Sequence, residues 1–125
     1  MNIRKKTEKK FRFLTDSGFS CTFIRESRLF AQFEFRKDSW RIVLTHDVRN
    51  VTLDLMIKQE TKMLFECNYD RVMINHNDWK RQDFSDALSE IYSAPHTTNA
   101  DSNKRLAGLL DLYADWIVLF LNSQA

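Results

Sequence analysis

The residues of this chain that could carry chemistry are few and widely spaced. His46, His76 and His96 fall on three separate expected loops or edges. None has a His or Cys partner three or four residues away, the spacing at which one helix or turn presents two metal ligands. The sequence therefore predicts no metal site. The cluster His76-Asn77-Asp78 near Asp70 has the residue types of an acid–base pair. Asp78 is better explained as a helix cap, accepting the unpaired amides of a first turn. Ser17-Gly18 is not set in a nucleophile elbow, and no Cys–His pair is near in sequence. With Gly18 and Gly108 the only glycines, no phosphate-cradling loop exists. No catalytic residue and no cofactor are expected. Cys21 and Cys67 lie in different segments without a CxxC spacing, and buried free thiols are the expected state of both.

The elements that must position these groups show in the hydropathy pattern. From Phe19 to Ile57 apolar and polar residues alternate in four runs. Phe19, Cys21 and Phe23 form the first apolar set, and Leu29, Ala31, Phe33 and Phe35 the second. Trp40, Ile42 and Leu44 form the third, and Val51, Leu53, Leu55 and Ile57 the fourth. A period of two places each set on one face of a pleated strand. The links at Glu26-Ser27, at 37–39 and at 46–50 are of hairpin length, which predicts a meander. Beyond Lys58 the alternation weakens; Met63–Glu66 and Arg71–Asn75 are expected as a fifth strand and a fragment, or as irregular edge structure.

Helical spacing flanks the strands. Lys6 to Ser17 is expected as a short helix with Phe11, Leu14 and Phe13 inward, stopped by Gly18. A second helix is expected from Trp79 to Tyr92, with Phe84, Ala87, Leu88, Ile91 and Tyr92 on its stripe. Residues 93–103 read as a polar surface loop. The last helix, Lys104 to Asn122, is apolar on most of its circumference. Either it is covered on two sides within the chain, or its second face, carrying Trp116 and Val118, forms a homodimer contact.

A length of 125 residues without a linker or repeat predicts a single domain over 1–125. The fold class expected is α+β: one antiparallel meander sheet of four to five strands, with an N-terminal helix and two C-terminal helices on one face. Ten Phe and three Trp predict an aromatic core. No apolar run approaches the roughly 20 residues that span a bilayer, and the basic N-terminus lacks the apolar stretch of a signal peptide. A cytoplasmic protein with no membrane partner is expected.

The net charge of +2 is uneven: residues 1–12 carry +5 and the remainder −3. Arg4, Lys5, Lys6, Lys9 and Lys10 could contact nucleic acid together with the sheet arginines Arg25, Arg28, Arg36, Arg41 and Arg49. Against that, Glu26, Glu34, Asp38 and Asp54 interleave with the arginines as cross-strand pairing on a solvated face would require. The other expected surface is the outer face of the sheet, where Phe30, Val43 and Met56 interrupt the polar pattern. Two readings of these three stand side by side: a partner-binding patch rimmed by Arg28, Arg41 and Asp54, or positions covered by another layer or merely scattered.

The order of elements also resembles a known group. A basic first helix ends at FLTDSGF, the strands follow as FAQFEFRKDSWRIVLTHDVRNVTLDLMI, and the chain closes on LLDLYADWIVLFL. This is similar to small bacterial α+β proteins, some of which act as immunity proteins beside polymorphic or contact-delivered toxins. The resemblance covers most of the chain as an element pattern and includes no diagnostic motif. It implies a non-catalytic module that binds a protein, with no inhibitory residues to carry over.

Overall fold

The computed structural model describes residues 3–25, 27–74 and 81–123. Its elements are α1 (Ile3–Lys10), α2 (Arg12–Asp16), β1 (Ser20–Arg25), β2 (Phe30–Lys37), β3 (Trp40–Asp47), β4 (Thr52–Gln59), β5 (Lys62–Asn68), β6 (Arg71–Ile74), α3 (Arg81–Ser93) and α4 (Asn99–Ser123). The fold is α+β, with all six strands in one antiparallel meander ordered β1 to β6.

The expected first helix is bent at Phe11 into α1 and α2, which together bury Ile3, Phe11 and Leu14. It stops as a Schellman motif: the Phe19 amide donates to Leu14 O (3.0 Å) and the Gly18 amide to Thr15 O (3.1 Å). The left-handed turn falls on Gly18 at φ +103°, where an L side chain would be strained.

Register explains the core. Phe33, Leu44, Leu55 and Cys67 stand opposite one another across β2 to β5, and Phe35, Ile42, Ile57 and Phe65 form the next row. All eight are buried. Between Ile57 and Lys58 the pairing with β5 shifts, leaving two residues of β5 against one of β4. The bulge lets consecutive residues Leu64 and Phe65 both be buried; it also breaks the period of two that would have announced β5. The helical layer covers this face with Phe84 and Leu88 of α3 and with Leu106, Leu109, Leu110, Tyr113, Ile117 and Phe120 of α4.

Several expectations need correction. The sheet has six strands, because both β5 and β6 pair. Residues 99–103 are helical: Thr98 caps α4, its Oγ1 accepting the Asp101 amide at 3.0 Å. His46 and Asp47 are strand residues, not part of a turn. Cys21 is an exposed free thiol, because β1 is an edge strand with neighbours on one side only; Cys67 is buried, and burial pushes its thiol up to about 12. Val43, expected on a surface patch, is 3% exposed, packed between Glu34 on β2 and Met56 on β4.

Trp116 is likewise a core residue at 4% exposure, with its ring 4.7 Å from Phe84 and 5.3 Å from Phe65. It does not belong to a free second face of α4, whereas Val118 and Leu119 are exposed. Truncating a buried Trp costs about 3–5 kcal/mol, and a buried unpaired charge adds to that. Trp116→Glu is therefore expected to abolish cooperative unfolding by circular dichroism, while Val118→Glu retains a native transition.

Candidate interaction surface

The outward positions of the sheet come from the alternate residues of each strand. Arg36, Arg41 and Lys58 lie directly opposite one another across β2, β3 and β4, a row of three cations. Like charges in that position repel. Glu34 relieves two of them, accepting from Arg41 Nη2 at 2.9 Å and from Arg36 Nε. Partial burial pushes the Glu34 carboxyl up, but these bonds outweigh it and hold the group below its ordinary range. In the next row Val43 faces Met56, which is half-buried. Phe30 is not part of that pair. It stands opposite Asp47, four residues along β3 from Val43, or about 13 Å at strand rise. Phe30, Val43 and Met56 therefore do not make one patch.

Phe30 belongs to a different cluster, at the end of the sheet where the β1–β2, β3–β4 and β5–β6 connections meet the α3–α4 loop. Its exposed apolar neighbours there are Ile24, Leu29, Val48 and Tyr69, with Phe30 itself at 37% and Tyr69 at 66%. Ile24 faces Gln32 on β2, one diagonal step from Phe30. Val48 donates its amide to Leu29 O at 2.8 Å, tying the first two turns together. Arg28, also exposed, sits in the β1–β2 connection, so Arg28, Phe30 and Asp54 are gathered at or beside this end, while Val43 and Met56 lie nearer the middle of the sheet and Arg41 towards its opposite end.

Phe30, Tyr69 and Asp54 line an open cleft of about 560 Å3 at this end. One wall is Phe30, Asp47, Thr52 and Asp54 from the sheet; the other is Tyr69, Tyr92, His96 and Arg105. The cleft exists because the β4–β5 pairing ends at Leu55↔Cys67. Leu53, two residues beyond, donates its amide to Tyr92 Oη at 3.1 Å, and its carbonyl accepts from Tyr92 Oη at 3.3 Å and from Tyr113 Oη. Two tyrosines of the helical layer thus replace the missing strand.

Each wall is locally fixed. Asp47 Oδ1 accepts the Arg49 and Asn50 amides at 3.0 and 3.2 Å, and Oδ2 accepts from Asn50 Nδ2 at 2.8 Å. This holds a turn in which Val51 takes φ +54°, a strained value for a β-branched residue. Across the cleft, Arg105 is 7% exposed and donates from Nη2 to Tyr92 O (2.8 Å), Ala94 O (3.5 Å) and His96 Nδ1 (2.9 Å). A cation on the last carbonyls of α3 satisfies orphan acceptors and opposes the negative end of the helix dipole.

The remaining titratable residues separate by position. Among the described residues no three His, Cys, Asp or Glu side chains converge as metal ligands. The cluster His76-Asn77-Asp78 lies outside the described residues. On α1, Arg4 pairs with Glu8 at 2.8 Å and its guanidinium lies 4.7 Å from the Phe23 ring centre, while Lys10 pairs with Asp111 of α4. Lys5, Lys6 and Lys9 are exposed on the same helix. The basic segment is thus one face of a docked helix. The cleft itself, built from five separate stretches of chain, has no sequence signature; the two tyrosines that frame it look like ordinary stripe residues in isolation.

Half-buried Asp54 and buried His46 give opposite pH dependences. Burial pushes the Asp54 carboxyl up to about 6, with Asp47 and Glu66 adding repulsion. Burial pushes the His46 imidazole down from its ordinary value, helped by Arg25; neither ring nitrogen has a hydrogen-bond partner among the described residues. A raised carboxyl means the native state holds the proton more tightly, so Asp54 adds stability below its unfolded pKa of about 3.9 that is lost as pH rises through about 6. A lowered imidazole means the reverse, with stability present above about 6.5 and lost on acidification. In urea titrations Asp54→Asn is expected to stabilise at pH 8, by on the order of 1 kcal/mol after solvent screening. Its stability should then fall on acidification towards pH 5, whereas that of His46→Leu should rise.

No protein-family model, curated protein or solved structure matches the chain.

Proposed function

We propose that this chain is a non-catalytic protein-binding module whose recognition surface is the hairpin end of the sheet. The observation that supports it is the concentration of exposed apolar side chains there. Of the eight large hydrophobic residues exposed among the described residues, Ile24, Leu29, Phe30, Val48 and Tyr69 lie at this end of the sheet, and Phe30 and Tyr69 line its cleft. Scattered exposed apolar residues are ordinary on a protein surface, but a contiguous group rimmed by charge is the anatomy of an interface. Asp47 and Asp54 line the cleft, and Arg28 and Arg49 are exposed in the adjoining turns, which supplies charge around it. Asp47, Asn50, Tyr92 and Arg105 of the cleft are engaged in holding their own loops and the adjoining strand, which suits a preformed docking surface.

The specific form of this reading is an immunity protein of a bacterial cytoplasm that neutralises a toxin. It rests on the resemblance in element order, together with a surface that is apolar at its centre and charged at its margin. The helical layer bears on localisation. Among the described residues only α4 is long and apolar enough to cross a membrane, and its apolar stripe is the core stripe named above.

The test uses a purified toxin encoded beside the gene, titrated calorimetrically. Tight one-to-one binding is expected for the wild type. Phe30→Ser and Val48→Asp, each on an exposed side chain, should weaken it at least about tenfold, or roughly 1.4 kcal/mol each, with unchanged thermal unfolding. Affinity unaffected by both substitutions would remove the hairpin end as the interface.

A further inference from the structure

A second surface lies on the opposite edge of the molecule from β6 and does not depend on the hairpin-end reading. Among the described residues β1 hydrogen-bonds to β2 alone, so alternate backbone N–H and C=O groups of Ser20–Arg25 have no strand partner there. Edge strands are normally guarded by charged side chains, lysine above all, by proline, by a bulge, by brevity or by a covering helix or loop. On β1 the guard within the strand is light: its six residues SCTFIR contain no lysine or proline and one charge, the terminal Arg25, and its pairing with β2 runs without a register shift. Five of the six are exposed. The other edge, β6, has only four residues. The sheet is thus open to strand addition on the β1 side.

The charge beside that edge is one-sided. A groove of about 530 Å3 runs between α1 and β1, with Arg4, Lys5, Lys9 and Arg12 on its helical wall and Cys21 and Phe23 on its strand wall. Glu8 is the one anion lining it, giving the groove an excess of three positive charges. The cations are presented by a helix that the core fixes through Ile3, Thr7 and Phe11, so they keep a set position relative to the strand. In an added strand, side chains alternate between faces, and every second one would point toward α1. Carboxylates at those positions complete the electrostatics that Glu8 only begins.

We infer that the free edge of β1 and the basic groove under α1 together dock an acidic, extended segment of a partner protein, which joins the sheet as a seventh strand. Backbone pairing supplies the affinity, and alternate carboxylates against Arg4, Lys5, Lys9 and Arg12 supply the selection. Phosphates of single-stranded nucleic acid would meet the same cations, but they would leave the backbone groups of β1 unpaired. Strand addition is therefore the occupant that uses both observations.

The probe is a synthetic strand-length peptide with glutamate at every second position between valine and threonine, titrated into the isotopically labelled full chain and followed by NMR. Amide shifts are expected throughout Ser20–Arg25, with new protection from hydrogen exchange in β1. Affinity should fall at least about tenfold when glutamine replaces glutamate, or in the Lys9→Glu and Arg12→Glu variants with their spectra otherwise native. It should also be lost when the peptide carries N-methyl groups on its pairing edge, which removes hydrogen bonds and leaves charge intact. Undiminished binding of the N-methylated peptide would overturn strand addition, as would an absence of shifts in β1. A single-stranded oligonucleotide that binds more tightly than the peptide, with shifts confined to α1, would overturn the assignment in favour of a phosphate backbone.

Discussion

The hydroxyl groups of Tyr92 and Tyr113 on the Leu53 backbone are the contact on which the rest of the arrangement depends. A sheet whose ladder ends early leaves an amide and a carbonyl to be satisfied, and a buried peptide group without a partner costs about 1–3 kcal/mol. Here both are taken by side chains of the covering helices. The Tyr113 hydroxyl, pushed well above its ordinary value by burial, stays protonated and remains a donor. The bond pins α3 and α4 to β4 at the point where β5 departs, and so sets the width of the cleft. Arg105 completes the fixture from the other side by holding the carbonyl of the same Tyr92.

That geometry gives the two faces of the sheet different energetics. The inner face is a continuous aromatic and aliphatic layer in which Phe65, Phe84, Trp116 and Phe120 meet with ring centres about 5–6 Å apart. The outer face has no described helix over it and is stabilised by side chains of its own strands. Glu34 spans Arg36 and Arg41, and with the neighbouring side chains it shields Val43. A buried valine on a bare face is thus a product of long charged side chains lying across it.

This is also why the sequence was legible in some places and not in others. Alternation in β2, β3 and β4 translated directly into buried and half-exposed faces, because each of these strands has neighbours on both sides and helices over one face. At β1 the same alternation misled for Cys21, since an edge position is open from the side whichever way it points. Val43 misled in the opposite sense, for the reason just given. β5 showed only as one of two readings of Met63–Glu66, because its bulge places Leu64 and Phe65 together in the core, and a period of two cannot describe that. The start of α4 was hidden by polar composition at 99–103, although Thr98-x-x-Asp101 is a capping pattern that could have revealed it. The cleft depends on register, and no spacing within one segment encodes it.

The charge asymmetry of the chain takes on a structural meaning in the same way. As a tail, the five excess positive charges of the first twelve residues would be a diffuse cloud, screened within about 10 Å at ordinary salt. The fold removes that freedom. Lys10 meets Asp111 of α4, Arg4 lies over Phe23 of β1, and Phe11 enters the core without any exposed surface. A helix held at three points presents its cations at fixed distances from the β1 backbone. The carboxylates of Asp47, Asp54 and Glu66, by contrast, come from β3, β4 and β5. One chain of nearly balanced composition therefore carries a basic edge beside β1, while its outer face mixes the Arg36–Arg41–Lys58 row with Glu34, Asp54 and Glu66. The edge keeps a local sign that the mixed face cancels.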